Sequence, residues 1–279
     1  QPGDRAQLMS FCNNKVCAEL ISILIPTMHF DIGYFDQLPW PSKLPSSSVD
    51  LIILRLIEGS RGDWNAYECS WDFQSLPLLT ASTDPTPTLE SSYTAWITQN
   101  RDTIAEMKRL EEENNRLFID AYGLQGELTP DVPIEQITLT VNPAYRYGGK
   151  LTEEEQWTRF RQDTMEEMVS YAIGCMMGRY SLDAPGLIYA HSGNEGFDSA
   201  KYKTFPADED GIVPLTELEW FEDDAASRFE KFVATAWPKE HLEENLEFVA
   251  ESLGRKRGES PRDTIRRYLA ADFFKHHLS

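Results

Sequence analysis

The sequence predicts a mainly α protein, and three observations carry that expectation. Residues 89–122 hold apolar side chains at helical spacing over a long run that stops at Gly123. Thr152 with Glu155 forms a capping-box pair, and Ser260-Pro261-Arg262-Asp263 places a capping serine, a proline at the first helical position and an acid at the third. Against these stands one good strand candidate, 137–141, which alternates Ile, Thr, Leu, Thr, Val.

The elements follow in order. Phe11, Val16, Leu20, Ile21 and Leu24 repeat at helical spacing over residues 10–25, and Pro26 ends that run. A turn-rich stretch, 26–45, leads to Ser48, which reads as the cap of a second helix through Val49, Leu51, Ile52, Leu54 and Ile57, closed by Gly59. Residues 76–87 are too rich in Pro, Thr and Ser to continue a helix or an inner strand, so a domain boundary is expected there. The long helix 89–122 comes next, then the strand candidate, then a helix from the Thr152 cap to about residue 179. Short strands or loops, 187–190 and 212–214, precede three more helices near 217–236, 240–253 and 261–278. No internal repeat is visible.

The 279 residues include 46 Asp and Glu against 26 Lys and Arg, a net charge of −20. Nothing in that balance suggests a free-standing nucleic-acid binder, because a phosphate-tracking surface needs a basic excess. With 41% apolar and 11% aromatic residues the chain has enough apolar matter for a sizeable core and too much for an acidic disordered segment. The longest charge-free apolar stretch, 20–30, contains Pro26 and is too short to span a bilayer, so no membrane partner is expected. The start, Gln1-Pro2-Gly3-Asp4-Arg5, has neither an initiating Met nor the order of a signal peptide, and the chain is expected to be a piece of something longer. The four cysteines, at 12, 17, 69 and 175, form no Cys-x-x-Cys pair, and Cys12 and Cys17 would sit on different faces of one helix. A reducing, cytoplasmic setting fits.

Catalytic signatures are missing. No two of the sixteen glycines stand at i and i+2, which removes the Gly-x-Gly turns of dinucleotide sites, and Gly149-Lys150 lacks the earlier glycine of a phosphate loop. There is no Gly-x-Ser-x-Gly and no His-Glu-x-x-His. The fragment Asn142-Pro143-Ala144-Tyr145 resembles the Asn-Pro-Pro-Tyr of amino-methyltransferases, whose Asn oxygen and Pro carbonyl accept hydrogen bonds from a target amino group. Here Ala144 replaces the second proline and no glycine-rich cofactor turn accompanies it, so a turn ending a strand is the preferred reading. Gly174-x-x-x-Gly178 is read as packing that lets another helix approach. Asp208-Glu209-Asp210-Gly211 is read as a solvated acidic turn, because later calcium ligands are out of register. His191, near Ser192, Asn194 and Asp198, reads as a structural loop, and no metal site is expected.

Charge is unevenly spread. Residues 89–252 carry 33 acids and 14 bases, net −19, whereas residues 253–279 carry 3 acids and 7 bases, net +4. Arg255, Lys256 and Arg257 fall in a loop before the last helix, and Arg262 and Arg266 share one face at i and i+4, so together they are the candidate DNA contacts through phosphate. The simpler reading is that these bases pair with the protein's own acids.

Three sets of phrases carry a resemblance. The first is Asn13-Asn14-Lys15-Val16 followed by Pro26-Thr27-Met28-His29-Phe30-Asp31-Ile32-Gly33 and Leu38-Pro39. The second is Asp63-Trp64 with Glu68-Cys69-Ser70-Trp71-Asp72-Phe73. The third is Asn115-Arg116-Leu117-Phe118-Ile119-Asp120-Ala121-Tyr122-Gly123-Leu124, Gly178-Arg179-Tyr180-Ser181-Leu182-Asp183 within 171–183, and Phe205-Pro206-Ala207-Asp208. From about Ser10 onward the chain resembles the carboxy-terminal portion of the PglX family, the large adenine-specific DNA methyltransferases of BREX phage-defence systems. The first two sets are similar to phrases that close and follow the target-recognition region in that family and in fused restriction-methyltransferases. At Met28-His29 relatives more often show Leu-Asn.

The resemblance implies a parent enzyme that moves a methyl group from S-adenosylmethionine to N6 of adenine in a specific DNA sequence, alongside other BREX proteins. It implies that the cofactor turn and the Asn-Pro-Pro-Tyr site precede Gln1, so no catalytic or cofactor-binding residue is carried over and the fragment alone is expected to be inactive and cofactor-free. The expected layout is the end of a target-recognition region over 1–77, a linker over 78–88 and a helical carboxy-terminal domain with a few short strands over 89–279. The alternative is a stand-alone acidic interaction protein or DNA mimic. A hydrolase around His191 and Asp208 has no motif behind it.

Overall fold

The computed structural model describes residues 2–25, 32–41, 44–191 and 195–278, and among these the chain is mainly α, as expected. The helices are α1 (Pro2–Cys12), α2 (Lys15–Leu24), α3 (Ile32–Phe35), α4 (Ser46–Asn65), α5 (Leu89–Tyr122), α6 (Pro143–Tyr147), α7 (Glu153–Met176), α8 (Ala225–Ala236), α9 (Leu242–Ser252), α10 (Pro261–Ala271) and α11 (Phe273–His277). Single 3₁₀ turns lie at Pro77–Leu79, Ile134–Gln136, Ser199–Lys201 and Lys239–His241. No helix among the described residues is long and apolar enough to cross a membrane. The chain divides into two compact units, one of residues 1–63 and 100–146, the other of 64–99 and 147–279; residues 78–88 lie within the second.

In the first unit the expected helix 10–25 is two helices. Asn14 breaks it, because its side-chain oxygen accepts the Cys17 N–H at 2.9 Å and its amide donates to the Phe11 carbonyl at 2.7 Å, capping α2 and stopping α1. Cys12 is therefore exposed at the end of α1 and Cys17 buried in α2, where burial pushes its thiol up to about 11. Phe11, Val16, Cys17, Val49, Phe118 and Ile119 form the core, with the Phe11 ring edge-on to Trp40 at 5.4 Å and tilted against Phe118 at 5.7 Å. Helix α4 does not stop at Gly59. A Cβ there would come within 2.5 Å of the Met107 sulfur, so this glycine admits the side chain of α5. Helix α5 itself runs over the expected span and ends where Gly123 turns to φ +70°.

The short strands are corrected. Ile137, Leu139 and Val141 are buried, as their alternation requires, but no strand occurs among the described residues. The Leu139 N–H folds back on the Ile137 carbonyl at 2.8 Å, and the N–H groups of Thr140 and Val141 go to the Asp63 carboxylate at 2.7 and 2.9 Å. A carboxylate takes the place of a neighbouring strand. Residues 187–190 and 212–214 are likewise loops. The Ile188 N–H makes one bond to the Arg179 carbonyl, and the Ile212 N–H bonds Asp208 and Asp210 side chains.

In the second unit α7 packs against α8, α9 and α11, while α8, α9 and α10 pack on one another. Both halves of the capping box are made at Thr152 and Glu155, and again at Ser260 and Asp263, each cap being worth about 1 kcal/mol. Phe160, Met165, Met168, Val169, Ala172, Cys175 and Met176 are almost fully buried along α7, and Trp96 stacks on Phe160 at 5.4 Å. The Asn245 side chain of α9 accepts the Leu89 N–H at 2.7 Å and so caps the start of α5. Helix α8 begins at Ala225, not near 217, because Asp224 accepts the Ser227 N–H and ends the preceding loop. Asp272 separates α10 from α11.

Candidate nucleic-acid interface

The five candidate bases lie on the loop 253–260 and on α10, and the structure divides them. Arg262 is held by two carboxylates. It donates from Nε and Nη2 to Glu230, both at 2.8 Å, and from Nη1 and Nη2 to Glu243 at 2.8 and 2.7 Å. These bonds, first those to Glu243, raise the pKa of the guanidinium, and Arg262 in turn holds the Glu243 carboxyl below its ordinary range. Arg266 is turned inward to the buried Asp224, with a second bond of 3.4 Å from Nη2 and one of 3.5 Å from Nη1 to the Thr216 carbonyl. Burial works to raise the Asp224 carboxyl, but Arg266 and Ser227 outweigh it and leave it below its usual value. Arg255 donates to Glu247 and, at 2.7 Å, to the Glu259 carbonyl.

Lys256 and Arg257 point differently. Both are exposed, and neither side chain makes an ion pair among the described residues. Their loop is fixed from below by Glu259, whose carboxylate accepts the Lys256 N–H at 3.1 Å, Arg267 Nε at 2.9 Å and the Thr264 hydroxyl at 2.9 Å. Arg267, then the Lys256 N–H, bring the Glu259 carboxyl down to about 2. Gly254 and Gly258 bracket the loop at φ +77° and +88°. The result is a turn, braced at both ends, that leaves the Lys256 and Arg257 side chains in solvent.

The other fragments are structural. Asn142 is buried, its amide donating to the Ile134 and Ile137 carbonyls at 2.7 and 2.8 Å while its oxygen accepts the Ala144 N–H at 3.2 Å. Every polar atom of that side chain serves its own segment, so it does not fit a target amino group or S-adenosylmethionine. Gly174 makes room for a ring and not for a second helix, since a Cβ there would meet Tyr180 Cδ2 at 2.7 Å; Gly178, at φ +75°, ends the helix. Asp208 accepts the N–H groups of Asp210, Gly211 and Ile212 and pairs with Arg228 at 2.7 Å. His191 is exposed, Asp198 caps the Ala200 N–H, and Ser192 and Asn194 lie outside the described residues, as do positions 26–31 of the first phrase. No group able to hold a metal occurs among the described residues.

One cluster was not legible in the sequence. The Glu68 carboxyl is pushed up by burial, against the pull of Arg179 and of hydrogen bonds from Tyr180 and Ser170. Burial also pushes the phenol of Tyr180 and the thiol of Cys175 up to about 12. Such a thiol is an inert packing group. The expected layout put residues 68–73 and 178–183 in different domains, and no sequence signal paired them.

No family model matches the chain. Among curated proteins it is similar to the adenine-specific methyltransferase BrxX of Escherichia coli O9:H4 (strain HS), 39% identical over 280 aligned residues that take in 97% of this chain and 22% of that protein. It is equally similar to the adenine-specific methyltransferase PglX of Lacticaseibacillus casei (strain Zhang), 39% identical over 97% of this chain and 21% of that protein. The likeness read from the phrases is thus met along nearly the whole chain, which spans about a fifth of the length of these relatives.

Proposed function

We propose that the chain is the carboxy-terminal part of a site-specific DNA adenine-N6 methyltransferase of a BREX phage-defence system, and that it positions and docks without making the bond. The observation that carries this reading is 39% identity over 97% of the chain to two adenine-specific methyltransferases of which it spans only about a fifth. Residues 1–77 would finish the target-recognition region, and residues 89–279 would buttress it and meet other BREX proteins in the cytoplasm. S-adenosylmethionine would be bound elsewhere in the parent. The Asn142 side chain, the nearest to an amine-binding asparagine, is fully used by backbone and supports the division of labour.

Direct DNA contact by this part would fall to residues 1–77 or to Lys256 and Arg257, since the net −19 of residues 89–252 repels a duplex that comes within about a Debye length of it. The test compares the parent protein with and without residues 1–279, reading N6-methyladenine in host DNA, and measures S-adenosylmethionine binding to the isolated chain by calorimetry. Lost methylation with no cofactor binding by the chain is expected. Micromolar cofactor binding by the chain alone overturns the proposal.

A further inference from the structure

The loop between Asp208 and α8 exposes apolar side chains in an acidic setting. Trp220 is 72% exposed and Leu218 62%, and Ile212, Leu215 and Phe221 stand out with them. Glu217, Glu219, Glu222 and Asp223 alternate with these residues and are themselves exposed, and no Lys or Arg occurs from 204 to 227. Apolar groups of this size cost free energy in water, roughly 25 cal/mol per Å², and isolated soluble domains seldom show them clustered.

The loop is held, not loose. At its start Asp208 gathers three backbone N–H groups and pairs with Arg228, which also donates to the Pro206 carbonyl at 2.7 Å. At its end the Ala225 N–H bonds the Pro214 carbonyl at 2.9 Å, and buried Asp224 is locked to Arg266. Within it the Thr216 hydroxyl and the Trp220 N–H both donate to the Leu218 carbonyl, at 2.7 and 3.0 Å. Two ion pairs anchor the ends while the tip carries the exposed side chains, an arrangement that presents a preformed surface.

We infer that residues 212–223 are a docking arm for a protein surface bearing an apolar strip bordered by Lys and Arg. Charge chooses the occupant: the arm's four exposed acids, with no base of its own and with Arg228 and Arg266 already paired to Asp208 and Asp224, repel nucleic acid and anionic lipid and attract a basic protein. Trp220, with Phe221 beside it, supplies the anchor, since a few residues carry most interface energy and Trp is enriched among them, and the acids supply the steering. The inference rests on the docking role proposed above. It has its own readout, because the arm is tested on the isolated chain and that role on methylation by the parent.

The probe is a fluorescent amphipathic helical peptide of Leu and Lys, followed by anisotropy with the 279-residue chain. Controls are a peptide with Ser replacing Lys, one with Ser replacing Leu, and a DNA duplex. The Leu-Lys peptide should bind more tightly than either control, weaken with salt, and lose about tenfold in affinity with Trp220→Ala/Phe221→Ala and with Glu217→Lys/Glu219→Lys/Glu222→Lys. Reversing the exposed acids Glu127, Glu135 and Glu240 makes the same change in net charge elsewhere and should cost much less. Equal loss with that control set, wild-type binding by the arm variants, equal binding of the uncharged peptide, or arm-dependent binding of the duplex would each overturn the inference. The arm lies outside the helices, and unchanged far-ultraviolet circular dichroism confirms that the variants fold.

Discussion

The side chain of Asn115 on α5 accepts the Lys15 N–H at the start of α2 at 3.0 Å and donates to the Pro130 carbonyl at 3.1 Å. Next to it the Asn114 amide donates to the Ser10 carbonyl at 3.0 Å, and the Lys15 ammonium reaches the Thr129 carbonyl at 3.2 Å. Two of the phrases through which the chain resembles its relatives thus meet in space. Asn115→Ala should remove both bonds of a side chain that is almost fully buried and destabilise the chain by about 1–3 kcal/mol. Asn115→Asp keeps the acceptor but turns a buried carboxylate oxygen toward the Pro130 carbonyl and should cost more. Urea unfolding of the two variants checks the order, and equal midpoints would contradict it.

Gly59 and Gly174 predict opposite tolerances. A Cβ at Gly59 meets the end of the flexible Met107 side chain, which can shift, and alanine gains about 1 kcal/mol in helix propensity, so Gly59→Ala should be near neutral. A Cβ at Gly174 meets the ring of Tyr180, which is stacked on Tyr171 at 5.2 Å and edge-on to Phe73 at 5.3 Å. With no room to yield, Gly174→Ala should cost roughly 1–3 kcal/mol. Thermal unfolding of the pair would show a clear gap in midpoint, and a Gly59 variant as unstable as the Gly174 one would refute the contrast.

Removing a single partner from the Asp224–Arg266 pair should be among the most damaging changes. Asp224 is fully buried, and Arg266→Ala leaves its charge without its partner, at about 3–5 kcal/mol. The double variant Arg266→Met/Asp224→Asn should recover part of that loss. Chemical denaturation of the single and double variants reads the difference.

Stability on the acid side should pass through Glu259. Its folded carboxyl lies at about 2 against 4.5 when unperturbed, with Arg267 the main cause. A depressed folded value stabilises the native state above the unfolded value, and that contribution is lost as pH falls from 4.5 toward 2. Glu259→Gln should therefore flatten this limb of the pH dependence of the urea midpoint. A variant limb as steep as that of the wild type would exclude the carboxylate as its source.

If the parent touches phosphate through this part, Lys256→Ala/Arg257→Ala should reduce the slope of log affinity against log salt by up to about 2, one for each lost contact. Arg262→Ala should leave the slope unchanged, because its donors already face Glu230 and Glu243. Filter binding of a duplex across a salt series separates these outcomes.

Helices declare themselves where local chemistry decides them. The Thr152 and Ser260 caps, and the stop of α5 at Gly123, require only neighbours in the sequence. Where a distant residue decides, the pattern misleads. Alternation at 137–141 reports burial faithfully but cannot reveal that Asp63, more than seventy positions earlier, satisfies the backbone. Gly59 looks like a stop until Met107 is beside it, and the apolar run from 217 resembles a helix until Asp224 is seen to begin one. In the tail, spacing put Arg262 and Arg266 on one face, and the fold supplies the particular carboxylates with which they pair, in line with the simpler reading of those bases.

Asp63 carries one more implication. Its carboxylate grips two consecutive amides of the main chain, a task indifferent to any base or methyl acceptor. Together with Asn14 and Asn115 it is masonry, so replacing any of the three should loosen the fold itself before it alters whatever the surface does.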